Sequence, residues 1–202
     1  MSKSFVYTNR AVYQLLMRLL YGSYFEARYR AIAAEIPNGS EVVDVCAGDA
    51  YLYHKYLRQK SVLYLGLDLS PQLVKWSNRH GICMRQFDLW QDTVPTGDIV
   101  VMQASLYQFI PHTEVILNKL LEAARQKVIV SEPTRNLAGS QNRFLAWLSR
   151  QLTTPLLTSE EYTGQRFTEE TLLMCFQQFD SFQKAFFVPG DREMVGVFKI
   201  HS

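Results

Sequence analysis

Short apolar runs alternate with amphipathic stretches along most of the chain, a pattern that predicts strands separated by helices. Ala11 to Leu20 and Tyr24 to Ala34 read as helices divided by Tyr21-Gly22-Ser23, where glycine ends one helix and serine caps the next. Glu41 to Val45 reads as a strand, Asp49 to Gln59 as a helix and Ser61 to Asp68 as a second strand. Ser70-Pro71 marks a helix start, because serine caps free N–H groups and proline suits the first helical position; Gly81 closes that helix. Ile82 to Phe87 and Asp98 to Gln103 follow as short strands, the second apolar throughout, as in a sheet covered on both faces. Pro111 to Gln126 predicts an amphipathic helix with Val115, Ile116, Leu120 and Leu121 inward, and Lys127 to Ser131 the next strand. Two more helices are expected at Asn142 to Gln151 and Thr168 to Phe179. Ser181 to Val188 and Glu193 to Ile200, joined by Pro189-Gly190-Asp191-Arg192, read as a terminal hairpin.

Strand–helix alternation calls for right-handed crossovers and a mainly parallel sheet, which the hairpin makes mixed. The 202 residues suffice for one sizeable core, and no repeat or Pro/Gly/Ser linker divides them. With 48% hydrophobic and 20% charged residues the chain is an ordinary globular one rather than disordered. A net charge of +2 carries no nucleic-acid footprint. Three cysteines, odd in number and irregularly spaced, suggest neither a disulfide framework nor a zinc site. No apolar run approaches a membrane span and no leader-like segment opens the chain, so a cytoplasmic location is expected. The oligomeric state is not legible.

In parallel sheets ligands bind beyond the carboxyl ends of the strands, where the strand order reverses, so the turn after the first strand is the prime site. That turn reads Asp44-Val45-Cys46-Ala47-Gly48-Asp49-Ala50. A dinucleotide fingerprint would be G-x-G-x-x-G with pyrophosphate on the helix N-terminus. Here Tyr51 stands where the third glycine should be, and Asp44 and Asp49 would set two carboxylates near a dianion. Both facts disfavour a nucleotide-dependent oxidoreductase. A ligand carrying an ammonium and a positive sulfur would instead welcome Asp44. The second strand ends in Asp68, twenty residues past Gly48, where a carboxylate can accept hydrogen bonds from both ribose hydroxyls.

These residues, with Asp68-Leu69-Ser70-Pro71, Phe87-Asp88-Leu89 and Asp98-Ile99-Val100-Val101-Met102-Gln103, resemble the successive motifs of class I S-adenosylmethionine-dependent methyltransferases across roughly residues 35 to 135. The family's acidic-x-G-x-G-x-G pattern keeps only its middle glycine here, with Cys46 and Ala50 as small replacements. The resemblance implies a Rossmann-like three-layer α/β sandwich around a mainly parallel seven-stranded sheet with a C-terminal antiparallel hairpin. It implies S-adenosyl-L-methionine as cofactor, held by Asp44, Cys46, Ala47, Gly48, Asp49, Asp68, Leu69, Asp88, Leu89, Gln103 and Ala104, with Asp88 against the adenine amino group. The expected division is an N-terminal helical cover (1–35), a cofactor-binding core (36–136), a helical insertion (137–166), and a final helix and hairpin (167–202).

Bland readings stand beside these. Asp44 could cap a neighbouring turn, Asp88 could face solvent from a loop, and Cys46 could be a small buried residue. A catalytically inactive cofactor-binding or scaffold protein of the same fold is the alternative function. Methyl transfer needs a general base only when the nucleophile must lose a proton, so no obligatory catalytic residue is sought. The Asn/Asp-Pro-Pro-aromatic, Pro-Cys and Asp-x-x-Lys patterns of base-modifying and metal-dependent relatives are missing, so a small-molecule methyl acceptor without a metal is expected. Tyr107, Glu132 and His112 are the candidates for catalysis, with Arg135 and Asn136 near them. The apolar stretch Leu137 to Gly164, with Phe144, Trp147 and Tyr162, and the N-terminal tyrosines at 7, 13, 21 and 24 would cover the pocket.

Overall fold

The computed structural model describes residues 26–134, 165–190 and 193–200. The expected helices at 11–20 and 142–151, the aromatic cover, Arg135, Asn136 and the hairpin residues Asp191 and Arg192 lie outside the described residues.

Seven strands form one sheet: β1 (Glu41–Val45), β2 (Leu63–Asp68), β3 (Met84–Gln86), β4 (Gly97–Gln103), β5 (Ala124–Pro133), β6 (Phe182–Phe187) and β7 (Glu193–Lys199). Their order is β3-β2-β1-β4-β5-β7-β6. The first five run parallel, and β7 inserts antiparallel between β5 and β6. The strand order reverses between β1 and β4, which puts the first turn at the crevice that such sheets use for ligands.

The helices are α1 (Ala27–Glu35), α2 (Pro71–Arg79), α3 (Thr113–Ala123) and α4 (Glu169–Gln177). Alternate strand residues feed two cores. Val42, Tyr64, Ile99, Val101 and Val197 pack with α1 and the helical segment 51–60, while Val43, Val100, Met102, Val128 and Phe198 pack with α3 and α4. Val100, Val101 and Met102 are fully buried, as the apolar run in β4 predicted. Ser70 caps α2 by accepting from the Leu73 N–H, with Pro71 in the first helical turn. Thr168 and Thr171 cap α4 reciprocally.

Three expectations change. The segment after the first turn is a π-helical stretch, Tyr53–Leu57, followed by the 3₁₀ turn Arg58–Lys60, in place of a regular helix. The predicted Pro111–Gln126 helix is shorter at both ends, and its last residues belong to β5. Arg125 explains the early strand: it pairs with Asp98 and Glu41 at the amino edge of the sheet and holds 124–126 beside β4. With α3 starting at Thr113, its inner face is Ile116, Leu117 and Leu120, and Val115 is half exposed instead of inward.

Gly196 shows how closely α4 lies on β7. A Cβ at this position would come within 2.4 Å of the Phe176 ring, which is itself fully buried. Gly196→Ala is therefore expected to destabilise the fold by about 1–3 kcal/mol through overpacking, read as a lower denaturant midpoint. An unchanged midpoint would mean that α4 can slide outward.

Candidate functional site

Parallel strands bring their last residues to one edge, and here that edge is acidic. Asp44 lies in β1 opposite Gly66 of β2 and Val101 of β4, and Asp68 and Gln103 end β2 and β4. Glu132 stands near the end of β5, and the antiparallel β7 delivers its first residue, Glu193, to the same edge. Topology thus converges residues from five strands.

Asp44 is buried. Its carboxylate accepts from the Tyr64 hydroxyl at 3.0 Å and from Gln103 Nε2 at 3.3 Å. Burial outweighs these bonds and pushes its pKa up to about 7. Asp68 accepts from the backbone N–H of Gly48 at 2.8 Å and of Ser70 at 2.9 Å, and burial raises its pKa to about 6. Those two bonds fix the carboxylate directly under the first turn and leave it further lone pairs. Asp49 is buried beside them, and its charge helps to raise Asp68. An edge built this way is electrostatically unfavourable to an anion and favourable to a cation.

The turn itself is left-handed at three points: Cys46 (φ 58°), Gly48 (φ 59°) and Ala50 (φ 54°). Cys46 and Ala50 thus adopt conformations that glycine would take at no cost, and they stand where the resembled pattern has glycines. Burial pushes the Cys46 thiol well above its ordinary range, so it is a small packing group rather than a nucleophile. Among the described residues, and apart from its two chain neighbours, nothing lies within 4 Å of where a Gly48 Cβ would stand, so on this side the glycine leaves room for a ligand.

Other predicted residues have more specific tasks than the sequence suggested. Asp88 organises its own loop, accepting from the Trp90 N–H and the Gln91 amide. Leu89 is buried, while Ala47 and Leu69 are partly covered. Asp98, matched to the fourth-strand motif, works at the opposite edge, where it caps the Glu41 N–H and pairs with Arg125. His112 is exposed at the start of α3, its ring edge-on to Trp90 at 5.8 Å. Ala104 has φ 45° and turns the chain sharply out of β4.

Glu132 is fully buried, and one of its oxygens accepts the backbone N–H groups of Ser105 and Leu106 at 2.6 and 2.5 Å. It therefore pins the loop that carries Tyr107. Among the described residues its other oxygen, Oε2, has no hydrogen-bond partner, and burial pushes the pKa of the carboxyl up to about 8. Gln103 Oε1 is likewise buried without a partner.

Sequence reasoning missed two features of the site. Arg28 of α1 is buried and donates to Glu193 at 3.0 Å, and Ser131 donates to the same oxygen at 2.7 Å. The pair ties α1 to β7 beside the acidic edge. Nothing local in sequence marks either residue. Tyr64 is the other; its place two residues into an apolar strand reads only as a strand former.

The fold is that of the class I S-adenosylmethionine-dependent methyltransferases. Residues 26–150, more than half of the chain, match the family described as "Methionine biosynthesis protein MetW", and the chain belongs to that family. Among solved structures it is similar to magnesium protoporphyrin IX methyltransferase (ChlM) from Synechocystis PCC 6803 with bound SAH, at 15% identity, TM-score 0.63, and 96% and 97% of the two chains covered. It is also similar to a TehB-like SAM-dependent methyltransferase from Corynebacterium glutamicum, at 17% identity, TM-score 0.64, and 96% and 98% covered. An S-adenosylmethionine-dependent methyltransferase from Mesorhizobium loti matches at 14% identity and TM-score 0.62, with 90% and 100% covered. No curated protein matches the sequence. No helix among the described residues is long and apolar enough to cross a membrane.

The loop contact gives a direct test. Glu132→Gln keeps an oxygen for both N–H groups and is expected to leave stability nearly unchanged at neutral pH. Glu132→Ala strands two buried N–H groups and is expected to cost about 2–4 kcal/mol in chemical denaturation. Equal stability of the two variants would contradict the pinning role.

Proposed function

We propose that this chain transfers a methyl group from S-adenosylmethionine to a small-molecule acceptor by in-line displacement. The observation that carries the reading is the convergence of buried Asp44, partly buried Asp68 and Gln103 Oε1, which has no partner among the described residues, around the open space over Gly48. That donor set fits the cofactor: carboxylates and an amide oxygen for an ammonium, a carboxylate for ribose hydroxyls, and a glycine backbone that leaves room for close approach. Asp44 and Gln103 would hold the ammonium, and Asp68 the ribose. Asp88 and Leu89 would border the adenine, with residues 36–136 serving as the cofactor-binding core. When bound, the cofactor supplies a methyl group already activated by its positive sulfur.

The chain's own contribution is position and exclusion of water. The loop pinned by Glu132 sets Tyr107 beyond β4, on the side from which an acceptor would approach. At neutral pH a carboxyl with a pKa of about 8 is mostly protonated, so Glu132 would act through this loop rather than as a ready base. Calorimetric binding of S-adenosylmethionine against NAD, followed by release of S-adenosylhomocysteine over a panel of small amines, phenols and carboxylates, tests the reading. Binding without release on any acceptor would favour the inactive scaffold, and binding of NAD alone would overturn the proposal.

Two quantitative outcomes are expected. Asp68→Ala weakens S-adenosylmethionine binding by about 1–3 kcal/mol, because ribose hydroxyls lose their acceptor. Unchanged affinity in a folded variant would remove Asp68 from the site. The second concerns pH. Asp44 and Asp68 hold protons in the ligand-free fold up to about pH 7 and about pH 6, whereas the unfolded chain releases them near pH 4. Ligand-free stability from these groups is therefore full below about pH 4 and is lost as pH rises to about 7. A bound cation favours the charged carboxylates, so cofactor affinity should rise over the same window and binding near pH 6.5 should release protons. Affinity that is flat across this window, with heats independent of the buffer, would show that these acids do not face the cofactor.

A further inference from the structure

Arg166 lies just ahead of the Thr168 cap of α4, and its guanidinium carbon sits 3.4 Å from the centre of the Tyr107 ring. This is van der Waals contact with the ring face, made by a half-buried side chain on a ring that is itself buried. A guanidinium held over an aromatic ring keeps its orientation, yet stacking uses none of its five N–H donors. Arg166 has no hydrogen bond and no ion pair in the described structure; the stacking and a through-space influence on Glu132 are its interactions. A half-buried cation without a counter-ion is costly to maintain unless something supplies the anion.

Its surroundings set it apart from the cofactor edge. There, Asp44, Asp49 and Asp68 gather negative charge around the first turn. Beyond β4, the acid that feels the charge of Arg166 is Glu132, which is buried, occupied with the Ser105 and Leu106 N–H groups, and mostly protonated at neutral pH. It neither neutralises Arg166 nor repels an incoming anion. The two sides of the crevice thus differ in sign: acidic over β1 and β2, basic at the Tyr107 loop.

Taking the methyltransferase reading as given, we infer that Arg166, held flat on Tyr107, anchors an oxyanion group of the methyl acceptor, a carboxylate or a phosphate. A planar guanidinium offers paired N–H donors that match two oxygens of either group at once, which a lysine at the same place could not do. The anchored anion would hold the acceptor by its far end, leaving its nucleophilic atom free to point toward the transferable methyl. Arg166 is then a binding residue that selects the class of acceptor, and Tyr107 positions it.

The test uses the full-length protein saturated with S-adenosylhomocysteine, and reads binding of benzoate and phenyl phosphate against their neutral counterparts benzamide and phenol by ligand-observed NMR. The wild type is expected to bind at least one of the anions tenfold or more tightly than its neutral partner; which anion wins separates carboxylate from phosphate recognition. Arg166→Gln should abolish that preference with an unchanged melting temperature and unchanged S-adenosylhomocysteine affinity, and Arg166→Lys should restore only part of it. No preference in the wild type, or an equal preference in Arg166→Gln, overturns the inference. A wild type that fails to bind S-adenosylmethionine in a parallel titration sinks the methyltransferase reading separately, because the anion preference is measured on its own signal.

Discussion

Asp44 is a carboxylate taken out of water near the carboxyl end of β1, and its two hydrogen bonds do not offset the loss of solvation. Its raised pKa shows a pull toward a proton, and a cation would meet the same deficit while keeping the charge. Much of the edge is arranged around that deficit. Tyr64 and Gln103 steady the carboxylate from the strands on either side, Asp68 is clamped by two backbone N–H groups, and Gln103 keeps one oxygen unused. A chain selected for stability alone would have placed an apolar residue at this position, as the neighbouring Val43 and Val45 already are.

The architecture was legible because its signals are local. Period-two and apolar runs mark strands, Ser70-Pro71 and Thr168 mark helix starts, and a carboxylate twenty residues beyond Gly48 marks the second strand's end. The errors arise where long-range forces act. Arg125 draws the end of an otherwise helical pattern into β5 because its partners, Glu41 and Asp98, belong to strands far away in sequence. Once the helix is shortened, its apolar stripe rotates away from Val115.

The site was legible only in its acidic half. Asp44, Gly48 and Asp68 follow one another in a spacing that a single turn and crossover impose, so a linear reading can find them. Glu132 was visible as an acid at a strand end, but its bonds to the loop after β4 depend on the register Gln103 opposite Ser131, which the chain does not spell out. Arg166 and Arg28 are single basic residues with no local pattern around them, and only packing reveals that one lies on Tyr107 and the other beside Glu193.

The Arg28–Glu193 pair joins residues 165 positions apart, one in the first described helix and the other opening the last strand. A ribosome delivers the chain in order, so Arg28 is made 165 residues before its buried counter-charge. The strands that carry Asp44, Asp68 and Gln103 can pair with one another in that interval, but α1 cannot settle against the sheet without stranding a charge in apolar surroundings. β7 is thus the strand that allows α1 to dock, and a nascent chain still lacking it would carry a half-built crevice open to water.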